Sequence, residues 1–279
     1  MNALRTVFLL TLLTMVLVWL GHHFGGRSGM IIALGIGLAL NFVNYWFSSS
    51  IVLKMYGAKI LPPGEGGVLE QDIREMTERV GLPMPKLAII PNPAPNAFAT
   101  GRNPQHAVVA VTEGLLRVCD RRQVRAVLAH ELGHVRNRDM LTMTLVSGAV
   151  SAVSMLGHFA GFFGGGRSAD GERPGIGMTL VALFVAPLVA TLVQMAISRT
   201  REYAADDEGA RLSGDPGALA DALESLHRAI PHAPPLTDRG AATAHMMIAS
   251  PFFGMGELFS THPSPQSRIA RLRAMAAGR

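Results

Sequence analysis

Long apolar runs alternate with charge-rich stretches along this chain. Two apolar runs lie near the N-terminus, at Leu4–Leu20 and Met30–Phe47, and two more lie in the middle, at Met140–Phe163 and Met178–Ile197. A helix needs about 20 apolar residues to cross a bilayer, and each run is close to that length. The pattern therefore predicts about four transmembrane helices, arranged as two hairpins.

The first two runs are joined by the short turn Gly21–Gly29, which predicts a helical hairpin. Trp19, Tyr45 and Trp46 lie at the ends of the runs, where interfacial aromatic residues are typical. The first run could instead be a cleaved signal peptide, because Arg5 lies at its start, ahead of the uninterrupted apolar stretch. It is longer than the apolar part of such peptides, however, and no A-x-A cleavage motif follows it.

The central two runs are rich in Ser, Gly and Ala, which suit close packing of helices within a bilayer. They flank the Gly-rich turn Gly164–Gly177. The alternatives are a buried hairpin of a soluble domain and a hairpin that lies partly at the membrane interface. We favour two further spans.

The charge-rich stretches carry the pattern of a small domain with both helices and strands. Leu69, Ile73, Met76 and Val80 recur at helical spacing and predict a helix that ends at Gly81. Apolar and β-branched segments predict strands at Lys86–Ile90, Asn96–Thr100 and Ala107–Val111. Further helices are predicted at Ser198–Leu212, Pro216–Ala229 and Gln266–Ala277.

The charge distribution predicts how the chain is oriented. Of the 25 Lys and Arg residues, 12 lie between Lys54 and Asp139, which places that segment and the N-terminus in the cytoplasm by the positive-inside rule. The net charge is +5, but no basic helix with interleaved aromatic residues is present, so a nucleic-acid partner is not expected. The single Cys119 excludes an internal disulfide and a cysteine-based zinc site.

The motif H-E-x-x-H occupies residues 130–134, in a helix that we expect to begin with a capping box at Asp120 and Gln123. Residues four apart lie on one face of a helix, so the imidazoles of His130 and His134 can bind one Zn²⁺. Glu131 can then take a proton from a water at the metal. Two exposed histidines beside a helical glutamate are the alternative.

A catalytic zinc site typically has three protein ligands and one open position. Glu202 is the preferred third ligand, because Asp206 lies on the same helix face and can accept the free N–H of a ligand imidazole. The alternative is a solvated helix face on which both carboxylates pair with Arg199 and Arg201. The residues considered for the third ligand are His158, Glu172, Glu202, Asp206, His227 and His262.

Four motifs in this order resemble the HtpX family of membrane-bound zinc endopeptidases, which is related to the CAAX prenyl endopeptidases. In chain order, the motifs are Asn96-Ala97-Phe98, His130–His134, the helix from Arg199 to Asp206, and Thr261-His262-Pro263. The resemblance spans the chain. It implies one Zn²⁺ held by His130, His134 and Glu202, with Glu131 as general base. It also implies that Asp206 contacts a metal ligand without binding the metal itself.

The resemblance also implies roles in substrate binding. Asn96, Ala97 and Phe98 would belong to an exposed strand to which an extended substrate adds. His262 and Arg268 would lie near the oxyanion of the reaction. Tyr203 is a weaker candidate for that position, and packing against the metal-binding helix is the alternative that we favour for its side chain.

Together these features predict an α+β membrane protein: a mostly helical, zincin-type catalytic domain with a small sheet, plus about four transmembrane helices. The expected segments are an N-terminal transmembrane hairpin (1–50), the first part of the cytoplasmic catalytic domain (51–139), the central apolar hairpin (140–197) and the second part of the catalytic domain (198–279).

The predicted activity is that of a zinc metalloendopeptidase in a bacterial inner membrane. Family resemblance implies that it acts in quality control, with unfolded membrane proteins as substrates and the lipid bilayer as its setting. The rival functions are a membrane transporter and a zinc-dependent assembly or chaperone protein without catalysis. A transporter is disfavoured because His130 and Glu202 flank the apolar runs instead of lying within them. Nothing in the sequence indicates an oligomeric state.

Overall fold

The computed structural model describes residues 2–140, 199–229, 248 and 264–278. Within these ranges the protein is mostly helical, with one small mixed sheet. Residues 2–48 belong to one compact unit, and the other described residues belong to a second. The central apolar runs after Met140, together with His158, Glu172 and His262, lie outside the described residues.

The first unit is built on helix α1, Asn2–Met55, which is interrupted at Gly26 by a left-handed backbone (φ 57°, ψ −144°). The chain reverses at Gly26, so that the helical segments before and after it lie side by side. Asn41 in the second segment donates a hydrogen bond to Thr14 Oγ1 in the first, at 2.9 Å. Gly21 permits this close approach, since a Cβ at that position would lie 2.5 Å from the carbonyl oxygen of Gly29. The reversal falls within the turn that the sequence predicts.

One helix segment in the described part of the chain, Gly25–Phe47, is long and apolar enough to cross a membrane. Most of its apolar side chains are exposed, as expected for a surface that faces lipid. A total of four transmembrane helices stays a prediction.

The second unit contains a four-stranded sheet in the order β1-β2-β4-β3, so that β3 forms an edge. Strands β2 and β4 are parallel, and the other two pairs are antiparallel. The strands are β1 (Lys59–Ile60), β2 (Lys86–Ile90), β3 (Ala97–Thr100) and β4 (Val108–Thr112). The last three match the predicted strands, whereas β1 is too short to produce a sequence pattern.

The helices of the second unit follow the predicted positions closely. A short 3₁₀ turn, Pro104–His106, precedes β4, and helix α3 is one that the sequence pattern did not predict. The helices are α2 (Gly67–Val80), α3 (Glu113–Val118), α4 (Arg121–Asn137), α5 (Arg199–Ser213), α6 (Pro216–Ala229) and α7 (Pro265–Ala276).

Helix α4 is the centre of the second unit. It begins with the predicted capping box, in which Asp120 accepts from the backbone N–H of Gln123 and the Gln123 side chain accepts from that of Asp120. From Val124 to Val135 nearly every side chain is buried, because α5, α6 and the sheet pack around the helix. Side chains on such a helix are held rigidly by close packing, which suits a site that needs fixed geometry.

Candidate active site

Helix α4 holds both histidines of the motif in the interior of the protein. His130, Glu131 and His134 are all buried, with exposed fractions of 0%, 2% and 5%. The two imidazoles lie 4.8 Å apart between ring centroids and are nearly perpendicular. The alternative of two surface histidines is therefore wrong.

Helix α5 brings Glu202 to these imidazoles. Its Oε1 lies 3.7 Å from His134 Nε2, and its Oε2 lies 3.8 Å from His130 Nε2. One ligand atom from each of the three residues lies within 4.8 Å of the other two. In a tetrahedral zinc site with bonds of about 2.0–2.1 Å, ligand atoms are ~3.3 Å apart, so only small shifts are needed to hold the ion.

Two glycines allow α4 and α5 to approach closely at the site. A Cβ at Gly209 would lie 2.9 Å from both N and Cα of His130, and a Cβ at Gly133 would lie 3.1 Å from the carbonyl oxygen of Ala205. Glycine at both positions removes these clashes. The short interhelical distance places Glu202 within reach of both histidines.

Asp206 lies behind His130, one helical turn after Glu202. Its Oδ1 is 3.0 Å from His130 Nδ1, and both of its oxygens accept from Arg268 of α7, at 2.6 and 2.8 Å. Burial raises the pKa of Asp206, but the charge of Arg268 and the contact with His130 outweigh burial and hold this pKa well below its ordinary value. An ionised Asp206 can accept the Nδ1–H of His130 and so leave Nε2 free for a metal.

Arg268 also contacts Glu202 and His130 directly. Its Nη1 lies 3.2 Å from Glu202 Oε2, and Nη2 lies at similar distances, 3.5 and 3.4 Å, from the two ring nitrogens of His130. The guanidinium is therefore not aligned with either nitrogen. Because Glu202, Asp206 and Arg201 are buried, the alternative of a solvated, salt-bridging helix face is wrong.

Asp139 is a second carboxylate beside the ligands, and the sequence reasoning missed it. Its Oδ2 lies 3.5 Å from His134 Nδ1, and its Oδ1 lies 3.6 Å from Arg201 Nε. Asp139 and Arg201 are both buried. The one signal in the sequence was an aspartate five residues after His134. In an unbroken helix, a residue at that spacing would not lie on the same face as His134.

Glu131 lies between the metal-binding side chains and strand β3. Burial is the main cause that raises the pKa of Glu131, and the charge of Glu202 raises it further. The histidines and a hydrogen bond from the backbone N–H of Ala99 act in the opposite direction. Its carboxylate is thus placed at the edge of the sheet and disposed to carry a proton.

The residues present fit a divalent metal ion. Two imidazoles and one carboxylate are the ligand set of a catalytic zinc site. Buried charge is costly unless it is compensated, and in the described part of the chain the site holds four carboxylates and two guanidinium groups, an excess of two negative charges that one divalent cation would balance. These charged residues are Glu131, Asp139, Glu202, Asp206, Arg201 and Arg268.

Known proteins resemble this chain along most of its length. Residues 63–276 match the model of Peptidase family M48, which covers most of the chain and all of the site. The chain belongs to this family. Within M48, it is 46% identical to the Protease HtpX homolog of Pyrococcus furiosus over 276 residues, covering 98% of this chain and 95% of the relative.

Other M48 relatives align equally well. The chain is 48% identical to the Protease HtpX homolog of Pyrococcus abyssi over 278 residues, covering 98% and 96% of the two chains. Identity to the homolog of Salinibacter ruber is 46% over 280 residues, covering 99% of each. The crystal structure of S. mikatae Ste24p has the same fold, with a TM-score of 0.55 at 19% identity; the match covers 97% of this chain and 64% of that one.

The predicted substrate strand lies at the edge of the sheet in this M48 chain, but it is buried. Asn96, Ala97 and Phe98 are at most 3% exposed, so the prediction of an exposed strand is wrong. The backbone carbonyl of Ala97 accepts from the N–H of Ile248 at 3.4 Å, which occupies part of the free edge. Asn96 Oδ1 accepts from the next backbone N–H in the chain, as in a turn.

Phe98 points away from the metal-binding residues. Side chains alternate across a strand, so Ala97 and Ala99 pack with the core around α4, whereas Phe98 packs with the end of α1. Its ring lies 5.6 Å from that of Tyr56. Arg271 of α7 lies 5.5 Å from the ring centroid of Tyr203. Packing of Tyr203 against α4 stays a prediction.

Proposed function

We propose that this protein is a membrane-anchored zinc endopeptidase that hydrolyses peptide bonds of unfolded or damaged membrane proteins. The observation that carries the proposal is the buried cluster of His130, His134 and Glu202 with Glu131 between it and an edge strand. Membership of a peptidase family and similarity to proteins named as proteases support it.

In this proposal His130, His134 and Glu202 hold one zinc ion per chain, which when bound would polarise the scissile carbonyl and lower the pKa of water. Glu131 takes a proton from the attacking water and delivers it to the leaving amine. Burial raises the pKa of Glu131 above its ordinary value, which is the direction that suits a group that must accept and then release a proton.

The positively charged side chain of Arg268 has two roles. It keeps Asp206 ionised behind His130, and it places positive charge within 3.2 Å of Glu202, beside the position where negative charge develops on the substrate. His262 would act near the same position, as the family resemblance implies.

The substrate would bind as an added strand along β3. Ala97 and Ala99 direct main-chain groups to the free edge: the carbonyl of Ala97 accepts from Ile248, and the N–H of Ala99 donates to Glu131. An extended peptide at this edge would lie directly beside Glu131. It would have to take over the hydrogen bond that Ile248 makes.

We further propose that the protein lies in the inner membrane of a bacterium as a multi-pass protein, with the catalytic domain facing the cytoplasm. The excess of Lys and Arg between Lys54 and Asp139 supports this orientation. Proteins that unfold in the membrane would then reach the site from the bilayer surface. Transport is disfavoured, because Glu131 and the ligands are enclosed by the packed helices of the second unit.

Replacement of Glu131 by Gln tests the proposal. Full-length protein in detergent should retain about one zinc per chain, because the three ligands are unchanged. Cleavage of an unfolded membrane protein should fall by about 10²–10⁴-fold, the usual effect of losing a general base. The matched control is Glu113→Gln, an exposed glutamate of α3 that should leave cleavage unchanged.

Three results would count against the proposal. Undiminished cleavage by the Glu131→Gln protein would show that the activity does not use this site. A wild-type protein without bound zinc, or one that binds zinc and cleaves nothing, would favour the rival functions.

A further inference from the structure

The two histidine ligands have matching surroundings. In each case Nδ1 faces an aspartate, and the aspartate faces an arginine: Asp206 and Arg268 for His130, and Asp139 and Arg201 for His134. The first set lies on α5 and α7, and the second lies at the end of α4 and the start of α5. The family resemblance implies the position of Asp206 behind a ligand, but it implies nothing about Asp139 and Arg201.

The backbone after α4 is shaped to bring Asp139 back to His134. Helix α4 ends at Asn137, and Arg138 adopts the left-handed conformation (φ 57°, ψ 30°). It is the only non-glycine residue with positive φ in the described part of the chain. This conformation is unfavourable for an L-residue, so the surrounding contacts must hold it in place.

Arg201 links this turn to the third ligand. It immediately precedes Glu202 at the start of α5, and its guanidinium reaches Asp139 while remaining buried. A contact between Asp139 and Arg201 therefore fixes the position of the first turn of α5 relative to the end of α4. These are the ends of the two helices that carry all three ligands.

We propose that Asp139 and Arg201 are positioning residues of the metal centre. Asp139 accepts the Nδ1–H of His134 and so directs Nε2 toward the metal, and Arg201 holds Asp139 while it aligns Glu202. The inference rests on the proposed zinc site. It adds to that site a positioning pair that acts on the second histidine.

The test is the rate at which zinc leaves the full-length, zinc-loaded protein in detergent when a chromophoric chelator is added in excess. This rate depends on how well the ligands hold the ion. Loss of a hydrogen-bond partner behind a ligand histidine typically weakens a metal site about 10–100-fold. Asp139→Asn should therefore release zinc at least about tenfold faster than wild type, and Asp139→Ala faster still.

Asp72→Asn is the matched control. Asp72 is an equally buried aspartate that joins α4 to another helix through Arg125, at 2.6 Å, and it is not part of the metal site. Its loss should lower the melting temperature of the protein but leave the rate of zinc release within about twofold of wild type. Arg201→Gln should accelerate release in the same direction as Asp139→Asn, and it serves as the test variant if Asp139→Asn does not fold.

The possible outcomes separate the two proposals. Zinc release from Asp139→Asn as slow as from wild type would overturn the positioning role and leave the proposed function intact. Equal acceleration in Asp139→Asn and Asp72→Asn would also overturn it, because Asp139 would then act only through general stability. A wild-type protein that holds no zinc would overturn the metal site itself, and the positioning role with it.

Discussion

Replacement of Gly209 by Ala should damage the site by moving one helix, although it changes none of the proposed ligand residues. Gly209 lies on α5 where this helix crosses α4 at His130. An alanine Cβ would lie 2.9 Å from both N and Cα of His130. These are backbone atoms that cannot rotate away, so α5 itself must shift.

The size of the shift follows from ordinary contact distances. Carbon atoms pack at about 3.5–4.0 Å, so α5 must withdraw by roughly 0.6–1 Å near His130. Overpacking of this kind costs about 1–3 kcal/mol of folding free energy, while alanine in place of a helical glycine returns about 1 kcal/mol. The fold should survive. A displacement near 1 Å at the site can lower the rate about 100-fold, so we expect kcat/KM to fall by about 10–100-fold.

The assay compares kcat/KM on an unfolded membrane protein with zinc content and melting temperature. Gly133→Ala should give a smaller loss, because its Cβ would meet neighbouring atoms at 3.1–3.3 Å. Gly35→Ala is the control, since nothing lies within 4 Å of a Cβ there. A Gly209→Ala protein with wild-type kcat/KM and full zinc content would refute the claim that this close packing sets the ligand geometry.

Two further predictions concern pH and substrate binding. Without metal the pKa of His134 is about 9: burial lowers it, but the hydrogen bond to Asp139 and neighbouring carboxylates raise it more. Because zinc must displace this proton, the apparent affinity for zinc should rise about tenfold per pH unit up to about pH 9. Competition with a chelator measures this affinity, and an affinity that does not change between about pH 7 and pH 8 would contradict the prediction. Ile248→Pro removes the N–H that bonds Ala97, so KM for an unfolded substrate should fall about two- to tenfold, whereas Ile248→Val should match wild type.

Sequence patterns predicted the parts of the fold that depend on local chemistry. The capping box at Asp120 fixes the start of α4, and Gly81 adopts the left-handed conformation that ends α2. Glu202 could be chosen as third ligand because its partner Asp206 lies one turn away on the same helix. Each of these features is encoded within a few residues.

Contacts between distant segments could not be predicted in this way. Glu202 and Asp206 have the pattern of a solvated helix face, but α5 packs against α4 and Arg268 reaches both carboxylates from α7. The strand pattern showed that Ala97 and Phe98 face opposite sides of the sheet, but not which side meets α4. Asp139 reaches His134 only through the left-handed turn at Arg138. Such turns are usually predicted from a glycine, and this one contains none.

Buried charge explains how these distant contacts act together. Without metal, the site in the described part of the chain has two more carboxylates than guanidinium groups, and the pKa values of His134 and Glu131 are both raised. Protons therefore balance charge that a divalent cation would otherwise balance. Arg268 acts in the opposite way, since it keeps Asp206 ionised and able to accept from the imidazole of His130. The H-E-x-x-H motif supplies the donor atoms, but the preference for a metal over protons depends on carboxylates and guanidinium groups that the motif does not contain.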